Sequence, residues 1–99
     1  MEAALAIADP IRRRVLELVR DAEVPAGELA AHFDVSRPAV SRHLRVLREA
    51  GLVRERRAGR LRLYRADPEP LAELRDWLER YWDERLDALK ALAEESADD

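Results

Sequence analysis

Hydrophobic positions along the chain follow helical spacing in four stretches and strand-like alternation in one. Ile11, Val15, Leu18 and Val19 recur every three or four residues, which predicts a core helix over residues 9–21. Asp9-Pro10 starts it. The aspartate can accept from the first free N–H groups, and proline stands where its missing N–H has no helical partner to lose. The preceding MEAALAIA is helix-compatible, and its Leu5 is expected to pack on a neighbour.

Leu29, Ala30 and Phe33 share one face of a second helix from about Ala26 to Phe33. Its start is poorly capped, because Val24 and Pro25 offer no side-chain oxygen. After the Asp34-Val35 turn, Ser36 caps a third helix with Pro38 in its first turn. Val40, Leu44 and Leu47 then form an i, i+4, i+7 stripe. Gly51 follows at the position where a helix ends in a left-handed residue. Two helices joined by a short turn over residues 26–50, the second apolar on one side and arginine-rich on the other, form a helix-turn-helix pattern.

LVRERR and RLRLYR are short extended runs separated by Ala58-Gly59, a β-hairpin over residues 52–66. Leu61 and Leu63 alternate with Arg60 and Arg62, so the second strand is expected to be apolar on one face and cationic on the other. Asp67-Pro68 repeats the cap-plus-proline start and opens the longest helix, residues 68–93, spanning about 40 Å. Its stripe of Leu71, Leu74, Trp77, Leu78, Tyr81, Trp82, Leu86, Leu89 and Leu92 is too wide for one contact within the chain, and part of it is expected to meet a second copy. The fold class is mainly α with a small β-hairpin: a single winged helix-turn-helix domain with a long C-terminal dimerization helix. The EESADD tail is expected to fray.

Charge sharpens this pattern. From Ser36 to Arg65 there are ten arginines against two acids, Glu49 and Glu55, a local balance of +8 in a chain whose net charge is -3. Such an unmixed cationic stretch points to a polyanion, and double-stranded DNA fits a helix presenting arginines beside a basic wing. Acidic flanks would repel DNA from the wrong face. Arg37, Ser41 and Arg42 are the candidates for base contacts, with Pro38 set against a thymine methyl, while Arg45 and Arg48 lie where phosphates would pass. Ser36 at the start of the same helix joins this set. Arg56, Arg57, Arg60 and Arg62 flank the wing turn and would reach the minor groove or backbone. Arg54 and Arg65 have an alternative role, pairing with Glu55 or with acids of the long helix. His43 lies at the edge of the apolar stripe, where helix packing is favoured over a phosphate contact; His32 reads as a surface residue.

Other chemistries find little purchase. The chain has no cysteine, so disulfides and thiolate metal sites are excluded, and two separated histidines do not suggest a transition-metal site. Ser41 and His43, two apart on a helix, point different ways and offer no nucleophile and base. No residue set calls for a cofactor or for catalysis. The amino-terminal run is too short and lacks the basic leader of a signal peptide, and nothing reads as a membrane span. The expectation is a soluble, cytoplasmic protein. Trp77, Tyr81 and Trp82 could line a small-molecule pocket, but at helical spacing a dimer interface is favoured.

ADPIRRRVLELV, the stretch GELAAHFDVSRPAVSRHLRVLREAGLVRERRAGRLRLYRA and the long last helix together resemble the ArsR/SmtB group of bacterial winged-helix repressors over nearly the whole chain. VSRPAVSRHLRVLREAGLV is the most specific part. The resemblance implies a homodimer built from the first and last helices, binding a near-palindromic operator and repressing transcription until a signal, such as an unidentified small-molecule inducer, weakens binding. The family commonly has glutamine where Arg37 stands, which implies a different base preference at that contact. Its metal sensors place cysteines in or near the first helix of the helix-turn-helix, or Asp/His sets on the last helix. GELAAHF has no cysteine and the last helix no histidine, so the chain is more similar to the non-metal members, some of them autorepressors, as is WLERYW. Three rival readings remain: a sequence-independent DNA binder, a protein-interaction module, and a metal sensor using Asp76, Asp83 and Asp87.

Overall fold

The computed structural model describes residues 2–97. Eight elements follow in order: α1 (Glu2–Ala6), α2 (Pro10–Leu18), β1 (Val24–Pro25), α3 (Ala26–Ala31), α4 (Arg37–Glu49), β2 (Val53–Ala58), β3 (Leu61–Ala66) and α5 (Pro68–Ala97). Local chemistry sets most of the boundaries. Asp9 Oδ1 accepts from the N–H groups of Ile11 at 2.8 Å and Arg12 at 3.1 Å, and Ser36 Oγ accepts from Ala39 N at 3.2 Å. Gly51, at φ 76°, ends α4. Its N–H bonds to Arg48 O and that of Leu52 to Leu47 O, the paired 5→2 and 6→1 bonds of a Schellman end. α3 has no side-chain cap, as its flanking residues dictate.

The core lies where α2, α3, α4 and the sheet meet. Val15, Val19, Leu29, Leu47 and Leu52 are fully enclosed, Val40 and Leu44 nearly so, with Ala6, Val53 and Tyr64 closing the periphery. Backbone bonds from Ala66 N to Val19 O and from Asp67 N to Leu52 O fasten the base of the wing to this body. No polar or charged side chain is buried among the described residues.

Five expectations are corrected. The hairpin is part of a three-stranded antiparallel sheet of order β1-β3-β2, in which Val24 pairs with Tyr64 and Pro25 with Leu63. Proline is tolerated there because β1 is an edge strand. The hairpin turn is shifted by one residue: Ala58 pairs with Leu61, so the loop is Gly59-Arg60, with Gly59 at φ 61° supplying the left-handed first position of a two-residue turn. The face of β3 that meets the core carries Tyr64, on the same side as Arg62, whereas Leu61 is exposed on the opposite side. α2 stops at Leu18, short of residue 21, while α5 continues to Ala97, past the expected end at 93 and through most of the tail expected to fray.

At 1.5 Å per residue α5 is about 45 Å long, and it dominates the 70 × 26 × 21 Å extents of the chain. Its first turns pack on α1, where Leu74 is buried and Leu71 half-buried. Beyond Leu74 the apolar side chains from Trp77 to Ala93 lie on the surface.

Candidate nucleic-acid interface

The stripe that buries Val40, Leu44 and Leu47 fixes which side of α4 faces away from the body. Ser41, Arg42, Arg45 and Arg48 all stand on that exposed side. β3 closes the other wall, and the two elements frame an open concavity lined by Pro38, Ser41, Arg42, Arg45 and Arg48 from the helix and by Arg62 and Tyr64 from the strand. Four guanidinium groups thus converge on one trough with one hydroxyl and one proline ring. Such a surface suits a polyanion bearing hydrogen-bond acceptors along its edges.

The arginines divide by their partners. Arg48 pairs with Glu55 Oε2, and Arg62 Nε lies 3.6 Å from Glu55 Oε1. Arg56 holds Glu23 at 2.9 Å and Arg54 holds Asp67 at 3.1 Å. Among the described residues Arg37, Arg42, Arg45, Arg57, Arg60 and Arg65 form no ion pair with an acid of this chain. Arg37 turns back toward α3, close enough that a Cβ on Gly27 would lie 3.2 Å from its Nη2. Of the proposed base readers, Arg42 is thus the arginine that both lines the trough and lacks a partner.

Glu55 is the residue that sequence reasoning missed as a participant; it entered only as an acid for Arg54 or Arg65. Its Cα partner across the hairpin is Tyr64, so it faces α4, whereas Arg54 and Arg65, paired with each other in the register, face the opposite side. The parity of the strand carried that signal. Burial pushes the Tyr64 phenol above its usual pKa, and the Glu55 charge adds to the effect; Glu55 in turn holds the Arg48 guanidinium above its own.

His43 does not line the trough. Its Nδ1 lies 3.2 Å from Arg12 Nη1 and 3.9 Å from Asp9 Oδ1, against the start of α2, which supports the packing role over the phosphate contact. Arg12 also donates to the carbonyls of Ala6 and Leu5 and so ties α1 to the same corner. Burial raises the Asp9 carboxyl, but the Arg12 and Ile11 N–H groups, with His43 and Arg12 beside it, together hold its pKa below the ordinary 3.8.

The expected interface residues also divide. Leu74 belongs to the chain's own interior and Leu71 is half-buried against its core, which removes Leu74 from the surface open to a partner. Leu5, Trp77, Leu78, Tyr81, Trp82, Leu86, Leu89 and Leu92 are exposed. Trp77 stacks on Tyr81 at 5.6 Å and Tyr81 meets Trp82 edge-on at 6.0 Å, with the Arg85 guanidinium 5.9 Å above the Tyr81 ring. Among the described residues of one chain no group of three or more His, Asp or Glu side chains is placed to hold a metal ion, so Asp76, Asp83 and Asp87 are not brought together within the chain as the oxygen site considered above. No helix there is long and apolar enough to cross a membrane.

Comparison with known proteins agrees with this geometry. A helix-turn-helix domain model matches residues 7–56. The chain is 45% identical over 94 residues to the HTH-type transcriptional regulator Rv2034 of Mycobacterium tuberculosis, covering 95% of this chain and 88% of that one. It is 34% identical over 73 residues to the transcriptional repressor SdpR of Bacillus subtilis, covering 74% and 81%. An ArsR-like transcriptional regulator from Rhodococcus sp. RHA1 superposes with a TM-score of 0.79 at 36% identity, over 94% of this chain and 88% of that one. The chain belongs to the ArsR family of winged helix-turn-helix transcriptional regulators. A further neighbour is the homodimeric winged helix-turn-helix DNA-binding domain (fragment 1–100) of Mb0332 from Mycobacterium bovis, with a TM-score of 0.66 at 28% identity over 86% of this chain and 79% of that one. Within the ArsR fold of this chain, α4 is the second helix of the helix-turn-helix, the position of a recognition helix, and the β2–β3 hairpin is the wing.

Proposed function

We propose that this ArsR-family regulator acts as a homodimeric repressor, with the α4 helices of two copies entering successive major grooves of a near-palindromic operator about 34 Å apart. The observation that carries the reading is the trough between α4 and β3, where Arg42 and Arg45 stand without an acidic partner beside Ser41 and Pro38. Arg42 and Ser41 read base edges, Arg45 meets phosphates, and Arg57 and Arg60 at the wing tip meet the backbone or the minor groove. The exposed side chains from Trp77 to Leu92 supply the face between copies. SdpR is named a repressor and the Mb0332 domain a homodimer, and both support the reading.

Autoregulation makes the chain's own upstream DNA the first substrate to try. Anisotropy at two salt concentrations, against a shuffled duplex of equal length, is expected to show a large preference for the upstream DNA. Equal, strongly salt-dependent binding to both would favour the sequence-independent alternative. The acidic flanks, residues 1–35 and 66–99, argue against that alternative because they leave the chain with a net charge of -3, where a phosphate-dominated binder is expected to be basic overall. A small-molecule inducer acting at the aromatic cluster would change Trp77 and Trp82 fluorescence, and a metabolite panel tests for it.

A further inference from the structure

Three elements meet at one carboxylate. Glu55 is on the side of β2 that faces α4, its side chain is only 18% exposed, and it is the Cα partner of Tyr64. One oxygen holds Arg48, near the end of the recognition helix. The other lies 3.6 Å from Nε of Arg62, on the same face of β3 as Tyr64. Both arginines line the trough, and both were expected to touch DNA. A carboxylate presents two anionic oxygens to a pair of guanidinium groups much as a phosphate does. The protein therefore carries its own anion at the place where DNA would supply one.

We propose that Glu55 is a specificity-determining positioning residue: by holding Arg48 and Arg62 it fixes the wing against the recognition helix and withholds two cations from arbitrary phosphates. The inference rests on the DNA-binding reading above. On unrelated DNA, where phosphate contacts supply nearly all the affinity, two tethered arginines contribute little. On the operator, the base contacts of Arg42 and Ser41 are made with the wing already set at its angle, so less is lost by the tether. The acid thus lowers affinity for arbitrary sequence more than affinity for the cognate site.

The test uses the full chain and two duplexes: one enriched from a random pool by the wild-type protein, the other a shuffle of it. Glu55→Gln keeps the shape and removes the charge. Affinity for the shuffled duplex is expected to rise on the order of tenfold at low salt, and the slope of log K against log salt to steepen by about 1 to 2, as each freed arginine adds about 0.9. Affinity for the enriched duplex should rise less, so the specificity ratio falls. In an Arg48→Gln, Arg62→Gln background the same substitution has nothing to release and should leave the slope unchanged. A second comparison avoids altering Glu55: Arg62→Gln should barely change the slope on the shuffled duplex, whereas Arg60→Gln should reduce it by about 0.9.

An unchanged slope and ratio for Glu55→Gln in a chain whose melting curve remains cooperative would overturn the proposal. So would an equal gain in the background lacking both arginines, since removal of one negative charge would then be the whole effect. A wild-type chain that enriches no sequence from the pool would instead overturn the operator reading, and the role of Glu55 in specificity with it. A steeper slope in Glu55→Gln would in that case still show the tether.

Discussion

The body of the protein and the distal half of α5 are built from similar aliphatic residues but leave them in opposite states. In the body, Val15, Val19, Leu29, Leu47 and Leu52 are wholly enclosed, although α2, α3 and α4 are short helices. Along α5 beyond Leu74, Trp82, Leu86, Leu89 and Leu92 each keep more than half their surface in water, at 59%, 57%, 64% and 61%. A row of large apolar side chains this long is beyond what an isolated soluble helix needs. The body is finished by its own chain; in the dimer we propose, the helix is finished by a second copy. In that dimer, DNA recognition sits on the finished part and the pairing of two troughs falls to the unfinished one.

Five variants break or sharpen that contrast, in three comparisons taken from the largest expected effect to the smallest. Leu47→Ala, at a fully enclosed position, should lower stability by about 2 to 5 kcal/mol in denaturant unfolding. Leu89→Ala, followed at concentrations where the chain is monomeric, should change it by no more than about 0.5 kcal/mol. Trp82→Asp combined with Leu89→Asp should weaken self-association by at least about 2 kcal/mol in sedimentation equilibrium while the far-ultraviolet spectrum of the body persists. Arg42→Ala should cost about 1 to 3 kcal/mol on the cognate duplex and relax the preference at one base pair, read by competition binding. Arg60→Ala should weaken all duplexes alike and reduce the salt slope by about 0.9.

Asp9→Ala, which removes the α2 cap, should cost about 1 kcal/mol at neutral pH. Because the folded protein holds the Asp9 carboxyl below 3.8, the charged form stabilises the fold at pH values above 3.8. That contribution disappears as pH falls from 3.8 through the lower folded-state value. Denaturant melts of wild type and Asp9→Asn should therefore differ at pH 7 and converge at the acid end.

Much of this architecture was legible from spacing and caps. Asp9-Pro10, Ser36, Gly51 and Asp67-Pro68 each act over a few residues, so their roles survive folding unchanged. The stripe of Val40, Leu44 and Leu47 is likewise a local period that tertiary packing simply uses. β1 was not legible: two residues, one a proline, carry no alternation, and the strand exists only because β3 offers an edge. The parity of β3 misled for a related reason. Leucines suggest the inward face, but the packing of the whole sheet on the body buries Tyr64, on the opposite face from Leu61 and Leu63. The pairing of Arg48 with Glu55 depends on the angle between helix and wing, a quantity absent from any single segment. Leu74 shared a period with its exposed neighbours and parted from them only because α1 folds over the start of α5.

The central claim is that two copies, joined through α5, place two troughs on one operator. Sedimentation of the chain with an enriched duplex carrying both half-sites, and with duplexes in which their separation is lengthened by half a turn or by a full turn, tests it most directly. The account predicts two chains per duplex at the enriched spacing, loss of cooperative binding at the half-turn insertion and at least partial recovery at the full turn. One chain bound per half-site with the same affinity at every spacing would contradict it.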